Sequence, residues 1–222
     1  RVLGGAAKAL ALKLGLSSVH VLFPHEPEAD ALDLYAGFAR RVGVQFHWTN
    51  PGYGRAADFL ARFQSKRRHA MKAERAQPAR DRVTITTHEG EGITDALVDP
   101  MFAFYRSTVD KFMWGRRYLN RAFFARVAKT FRHQLAWVIA RDEQGAPIAG
   151  AFNVRRGGVL YGRYWGAVEE RKFLHFNVCF YHGIDECIAR GDKRFEPGAG
   201  GEHKLARGFE PALTHSAHWI AD

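Results

Sequence analysis

Phe195-Glu196-Pro197-Gly198-Ala199-Gly200-Gly201-Glu202-His203-Lys204, continuing through Leu205-Ala206-Arg207-Gly208-Phe209, decides how this chain is read. A short strand enters a glycine-rich turn, and the chain then returns to extended structure. Gly198, Gly200 and Gly201 let the backbone take positive φ and approach a ligand closely. A simple hairpin has no need of Glu196, Glu202, His203 and Lys204 crowded around its turn, whereas a loop that carries chemistry does. The plainer alternative is a wide surface loop whose charges are only solvated. Against it stands a second polar and aromatic cluster, Arg163-Tyr164-Trp165, at the end of another predicted strand upstream.

Working outward, residues 135–142, 147–155 and 159–167 read as strands. Glu143-Gln144-Gly145 and Gly157-Gly158 supply the hairpin turns between them. Residues 173–190 set Phe173, Phe176, Phe180, Ile184, Cys187 and Ile188 on one helical face, and a strand over 193–196 follows. A last strand is expected near 214–220. Upstream, 83–87 alternates as a strand. Asp99-Pro100 opens a helix with proline at its first position, running through Phe102, Tyr105, Val109 and Phe112, and a second helix spans 120–131. Before residue 83 the order is helix (3–15), strand (19–23), helix beyond Pro24 and Pro27, and strand (44–48). Asn50 to Gly54 is a turn, and one long basic helix is expected over 55–76, stopped at Gln77-Pro78.

Bulk properties bound the function. The 222 residues are 46% apolar with 17 Phe and 5 Trp, ample for a packed core, so disorder is excluded as the default. A formal charge of +10 and a pI near 9.9 point to an anionic partner such as nucleic acid, nucleotide phosphate or an acidic membrane surface. An Arg-rich, Lys-poor composition is also what a GC-rich genome yields. Cys179 and Cys187 lie two turns apart on one predicted helix and read as core thiols in a reducing compartment. No apolar run reaches the roughly 18 residues of a membrane span and no signal peptide is evident, which together imply a cytoplasmic protein. His215-x-x-His218 falls in an extended segment and no second pair has ligand spacing, so no metal site is expected. Nucleophile-elbow, phosphate-loop and dinucleotide-binding motifs are absent. The chain begins at Arg1 rather than Met and stops at Asp222 just after His218-Trp219-Ile220, and so reads as cut at both ends.

From residue 83 the order is strand, two helices, three antiparallel strands, helix, strand, turn, strand. This α/β (α+β) order, a mixed and mostly antiparallel sheet flanked by helices, is similar to the GNAT superfamily acyltransferase fold. The sequence itself resembles the FemAB-like branch, the peptidoglycan biosynthesis or recognition proteins. The resemblance rests on Leu160 to Gly166, Leu174-His175-Phe176, Tyr181-His182-Gly183-Ile184, and above all Phe195 to Lys204 with Arg207-Gly208-Phe209 and His218-Trp219. Phe59 to Phe63 and Lys66-Arg67-Arg68 resemble the family's basic helix between two GNAT-like halves. The implied domains are the end of a first half (1–54), a connecting basic helix (55–82) and a second half (83–222). In the wider Fem group an amino acid passes from aminoacyl-tRNA to a peptidoglycan peptide, and a Phe-Lys pair followed by Phe-Gly is typical. Here the run is His203-Lys204 followed by Gly208-Phe209. The lysine is kept and the aromatic is replaced, which bears on whether the donor is aminoacyl-tRNA or acyl-CoA.

Acyl transfer to an amine needs a base, stabilisation of the tetrahedral oxyanion, and a proton donor for the leaving group. The resemblance implies that strands 159–167 and 193–196 splay into a cleft. Glu196 or His203 is then the base, Lys204 the oxyanion or phosphate contact, and Tyr164 a donor or substrate hydrogen-bonder. Arg163, Trp165, His175, Gly198, Gly200, Gly201, Glu202 and Arg207 would bind substrate. Each has a plainer alternative: Glu196 as ion-pair partner of Arg163, Lys204 and Arg207 facing solvent, His203 in an ordinary loop, His175 in the core. Lys66, Arg67, Arg68 and Lys72 would contact phosphates of nucleic acid such as tRNA, or form only a solvated helix face. Residues 166–173 lack the glycine-rich phosphate loop of acetyl-CoA enzymes, and Glu169 and Glu170 would repel phosphate. The expected activity is acyl or aminoacyl transfer to a small-molecule or peptide amine, with no tightly bound cofactor. The competing readings are a non-catalytic module that recognises peptidoglycan or nucleic acid, and a conventional acyl-CoA N-acetyltransferase.

Overall fold

A computed structural model describes residues 2–111 and 117–221. In chain order the first elements are α1 (Val2–Lys13), β1 (Ser18–Leu22), α2 (Glu26–Ala36), β2 (Ala39–Thr49), α3 (Ala56–Ala61), α4 (Ser65–Arg75) and α5 (Gln77–Arg80). Next come β3 (Thr84–Glu89), α6 (Val98–Val109), α7 (Arg121–Thr130), β4 (Leu135–Arg141), β5 (Pro147–Arg156) and β6 (Val159–Ala167). The chain closes with α8 (Leu174–Phe176), a π-helical turn (Asn177–Tyr181), α9 (His182–Arg190), β7 (Arg194–Glu196), a 3-10 helix (Glu202–Arg207) and β8 (Glu210–Ile220).

These elements form two compact units, Arg1–Phe46 with Pro211–Asp222, and His47–Glu210. The division differs from the boundaries expected at 54 and 82. The basic segment lies inside the larger unit, and the last strand belongs with the first, because β1 and β8 pair antiparallel from Ser18↔Ile220 to Leu22↔Ser216. In the smaller unit α2 starts where Glu28 folds back to accept the His25 N–H at 2.8 Å, and it ends at Gly37 with φ 64°.

The sheet of the larger unit runs from the end of β2 through β7, β6, β5 and β4 to β3. Its neighbouring pairs are antiparallel except β6 with β7. Alternation along each strand divides the core between the two faces. Trp137, Ile139 and Phe152 meet α6 and α7 through Met101, Phe104 and Phe124. Val138, Ala149 and Ala151 meet Leu174 and Val178 on the opposite face. Gly166 permits the close approach of α6, since a Cβ there would lie 1.7 Å from the Phe104 carbonyl oxygen.

Three expectations are corrected. The basic helix is broken: Gln64 is extended at ψ 151°, Phe63 stacks back edge-on over Phe59 at 5.3 Å, and α4 starts anew; it ends at Arg75, just before Gln77-Pro78, where Pro78 sits in the first turn of the separate α5. The first helix after β3 begins at Val98, and Asp99 pairs with Arg121 at 2.5 Å instead of capping it; Phe112 lies outside the described residues, as do Arg1 and Asp222. The helix over 173–190 contains a π turn at Asn177–Tyr181, and α8 before it is entered through Phe173 at φ 59°, an unusual conformation for an aromatic residue.

Candidate active site

The cleft arises where β6 and β7 part. Their parallel pairing covers Val159↔Arg194, Leu160↔Phe195 and Tyr161↔Glu196 and goes no further. At that point β6 bulges: Phe152 pairs with Tyr164 and Asn153 with Gly162, leaving Arg163 as the extra residue. The bulge reverses which side chains face which side. Before it, Leu160 packs near Gly183 of α9. After it, Tyr164 meets the rings of Tyr105 and Phe152 at 5.0 and 6.2 Å, while Trp165 turns to His175 at 4.6 Å. Pro197 runs so close to Gly162 that a Cβ there would lie 3.0 Å from the Pro197 Cα. Gly198, Gly200 and Gly201 then take φ of 91°, 73° and 89°, curling the chain over the opening before the 3-10 helix. The cleft holds about 340 Å³.

Lys204 lines this cleft and is only 3% exposed. Its Nζ donates to the carbonyls of Gly198 at 2.7 Å and Ala199 at 3.3 Å, so the ammonium is aimed by the glycine turn. Burial pushes its pKa below the ordinary lysine value. His203 also lines the cleft, against the rings of Phe176, Phe180 and His175. Burial, and then the charges of Arg207 and Lys204, lower its pKa, so the ring is neutral at pH 7. His175 is more deeply held, and burial followed by His203, Arg207 and Lys204 brings its pKa down to about 4. Tyr164 remains a phenol, its pKa raised by burial. Arg163, Trp165 and the three glycines complete the predicted residues that line the opening, with Arg163 lying over the Tyr161 ring at 5.4 Å.

Other predicted site residues are not brought there. Glu196 does not line the cleft. Phe195 points toward Gly183, so alternation sends Glu196 to the other side of β7, where it meets Arg194 at 2.8 Å and His47 at 3.9 Å rather than Arg163. Glu202 is exposed and outside the lining. Arg207 is buried beneath the loop instead of facing solvent or substrate. Its Nε and Nη2 donate to Glu74 at 3.0 and 2.8 Å, its Nη1 donates to the His203 carbonyl at 2.9 Å, and its guanidinium stacks on Phe176 at 3.3 Å. Glu74 also accepts the Tyr181 hydroxyl at 2.5 Å. On α4, Arg67 is spent on the Ala206 carbonyl and Arg68 donates to Phe63 O at 3.4 Å, whereas Lys66 and Lys72 are exposed. Cys179 and Cys187 are free thiols, Cys179 in the cleft lining. Among the described residues no cluster of three or more His, Cys, Asp or Glu could hold a metal, and no helix is long and apolar enough to cross a membrane.

Sequence reading missed Glu74, hidden in a run of cations, and Asn153, in the middle of an apolar strand. The one available signal was the position of each, a lone polar residue among residues of another kind.

A sheet whose central strands diverge over a glycine turn is the GNAT-like acyltransferase architecture. The same fold is found in FemX (TM-score 0.63, 12% identity, covering 99% of this chain and 76% of that one). It is found also in L-PGS from Bacillus licheniformis (0.66, 11%, 96% and 70%). A third example is the C-terminal domain of a putative lysylphosphatidylglycerol synthetase from Agrobacterium fabrum (0.67, 11%, 98% and 72%). The chain belongs to the FemAB-like family of peptidoglycan biosynthesis/recognition proteins, whose model matches residues 1–222. A search of curated proteins returns no match.

Proposed function

We propose that this protein is an acyl or aminoacyl transferase that passes its group from an activated ester to an amine acceptor, a peptidoglycan-type peptide. The observation that carries this is the buried Lys204 ammonium, tethered by two carbonyls, in a cleft with no carboxylate among its described lining residues. The acceptor amine attacks the ester carbonyl carbon while neutral His203 takes the amine proton. Lys204 stabilises the oxyanion in a water-poor setting, where a cation is worth most. The carbon–oxygen ester bond then breaks, and Tyr164 gives its proton to the departing oxygen.

An ester donor is favoured over acyl-CoA by the β6–α8 junction. The Val168 and Glu169 amides, which a pyrophosphate would need, donate to the Ile148 carbonyl at 2.9 and 3.4 Å. Family membership, and a shared fold with FemX and a putative lysylphosphatidylglycerol synthetase domain, support an aminoacyl donor. In that case the exposed Lys66 and Lys72, with Arg68, contact tRNA phosphates.

The test is a donor screen in which charged tRNA or acetyl-CoA is offered with a peptide amine, and the product is read by mass spectrometry. Transfer from charged tRNA is expected, and Lys204→Met should lower kcat by about 10²–10³ with unchanged circular dichroism. Turnover with acetyl-CoA alone, or full activity in Lys204→Met, would overturn the proposal. Ligand binding without turnover from any donor would instead identify a recognition module.

A further inference from the structure

We propose that Asn153 is the group that reads the acceptor, its carboxamide hydrogen-bonding a peptide group of the bound chain in the cleft. This rests on the reading of the cleft as an acyl-transfer site and names the substrate chemistry it selects. Asn153 is 4% exposed and lines the cleft. Two residues earlier on β5, Ala151 faces Leu174 and Val178, so alternation turns the Asn153 side chain to that same face, toward the π turn and the cleft.

Its cross-strand neighbours are Ala136 and Gly162, neither of which has a polar side chain to offer. Among the described residues no hydrogen-bond partner reaches the Asn153 carboxamide. The contrast with the other buried polar residues is sharp. Asn177 donates to the carbonyls of Glu74 and Phe173, Asp192 pairs with Arg155, His215 with Arg40, Lys204 with two carbonyls, and Arg207 with Glu74. The Asn153 carboxamide instead faces the cleft, where its donor and acceptor are left for whatever occupies it.

The chemistry of the group identifies what it takes. A carboxamide presents a C=O acceptor beside an NH2 donor, complementary to the N–H and C=O of a peptide unit, and it carries no charge to match a carboxylate or phosphate. Lys204 and Arg163 supply the charged contacts. A site built to hydrogen-bond an N–H rejects an analogue that lacks it more strongly than it rejects a change of size.

The experiment compares equilibrium binding of glycylglycine and of glycyl-glycolate, in which an ester oxygen replaces the peptide N–H. Binding to wild type and variants alike is followed by isothermal titration calorimetry, with no donor present. The wild-type chain should bind the dipeptide about tenfold more tightly. Asn153→Leu and Asn153→Ala should both abolish that preference, and Asn153→Leu should melt no lower than wild type because it gives up no protein hydrogen bond. Equal affinity of the wild type for both probes, a preference that survives either substitution, or a lower melting point for Asn153→Leu would each overturn the proposal. Because no turnover is measured, failure of the transferase reading and failure of this one are told apart.

Discussion

Arg207→Met removes the cation from a carboxylate that has almost no water to fall back on. The Arg207 side chain is 6% exposed and that of Glu74 11%. Two guanidinium nitrogens reach one carboxylate oxygen, a third reaches the His203 carbonyl, and Phe176 covers the flat face. Breaking a buried pair by deleting one partner costs about 3–5 kcal/mol, because the remaining charge is stranded, whereas an exposed pair is worth about 1 kcal/mol or less. For a unit of this size that is a fall in melting temperature of roughly 6–20 °C. The expected loss therefore lies near the upper figures. Replacing both members, Glu74→Gln with Arg207→Met, should recover more than half of it, since a neutral pair leaves no stranded charge. Urea unfolding followed by tryptophan fluorescence measures all four proteins of the cycle, with Trp48 and Trp137 fully buried as reporters. A loss below about 1 kcal/mol for Arg207→Met, or a double variant no more stable than the single one, would show that the pair is not a desolvated clamp.

Two further predictions concern the same unit. His175 has a folded pKa of about 4, below its ordinary 6.5, so the unfolded chain takes up its proton first as the pH falls. Stability from this residue is complete above pH 6.5 and is lost between 6.5 and about 4, so His175→Gln should flatten that limb of a melting-temperature profile. An unchanged profile would contradict the assignment. Gly166→Ala places a methyl against the Phe104 backbone, which cannot move as a side-chain tip can. It should cost about 3 kcal/mol or more, seen as a lower urea midpoint or insoluble protein, and a wild-type midpoint would refute the close packing of α6 on β6.

The strand alternation over 135–167, the hairpin turns at Gly145 and Gly157-Gly158, and the helix start at residue 120, where Asn120 accepts the Phe123 N–H at 3.0 Å, are local features. Their side chains and turn residues act within a few positions, so the sequence was enough to locate them. The glycine turn after β7 was legible for the same reason, and with it the nearness of His203, Lys204, Gly198, Gly200 and Gly201. The break in the basic segment at Gln64 was not legible, because what holds it is a ring contact between Phe59 and Phe63 and burial against a distant part of the chain.

Which carboxylate reaches the cleft was likewise decided only in three dimensions. Glu196 looks equivalent to its neighbours in sequence, but a strand alternates by one residue, and packing Phe195 against Gly183 commits Glu196 to the other side. Arg207 appears as one more loop cation until the fold brings Glu74 beneath it across 133 positions. Asn153 gains its meaning from the bulge at Arg163 and the bare Gly162 opposite. Residue type and short spacing are written in the chain, whereas facing direction and desolvation belong to pairs that meet only after folding.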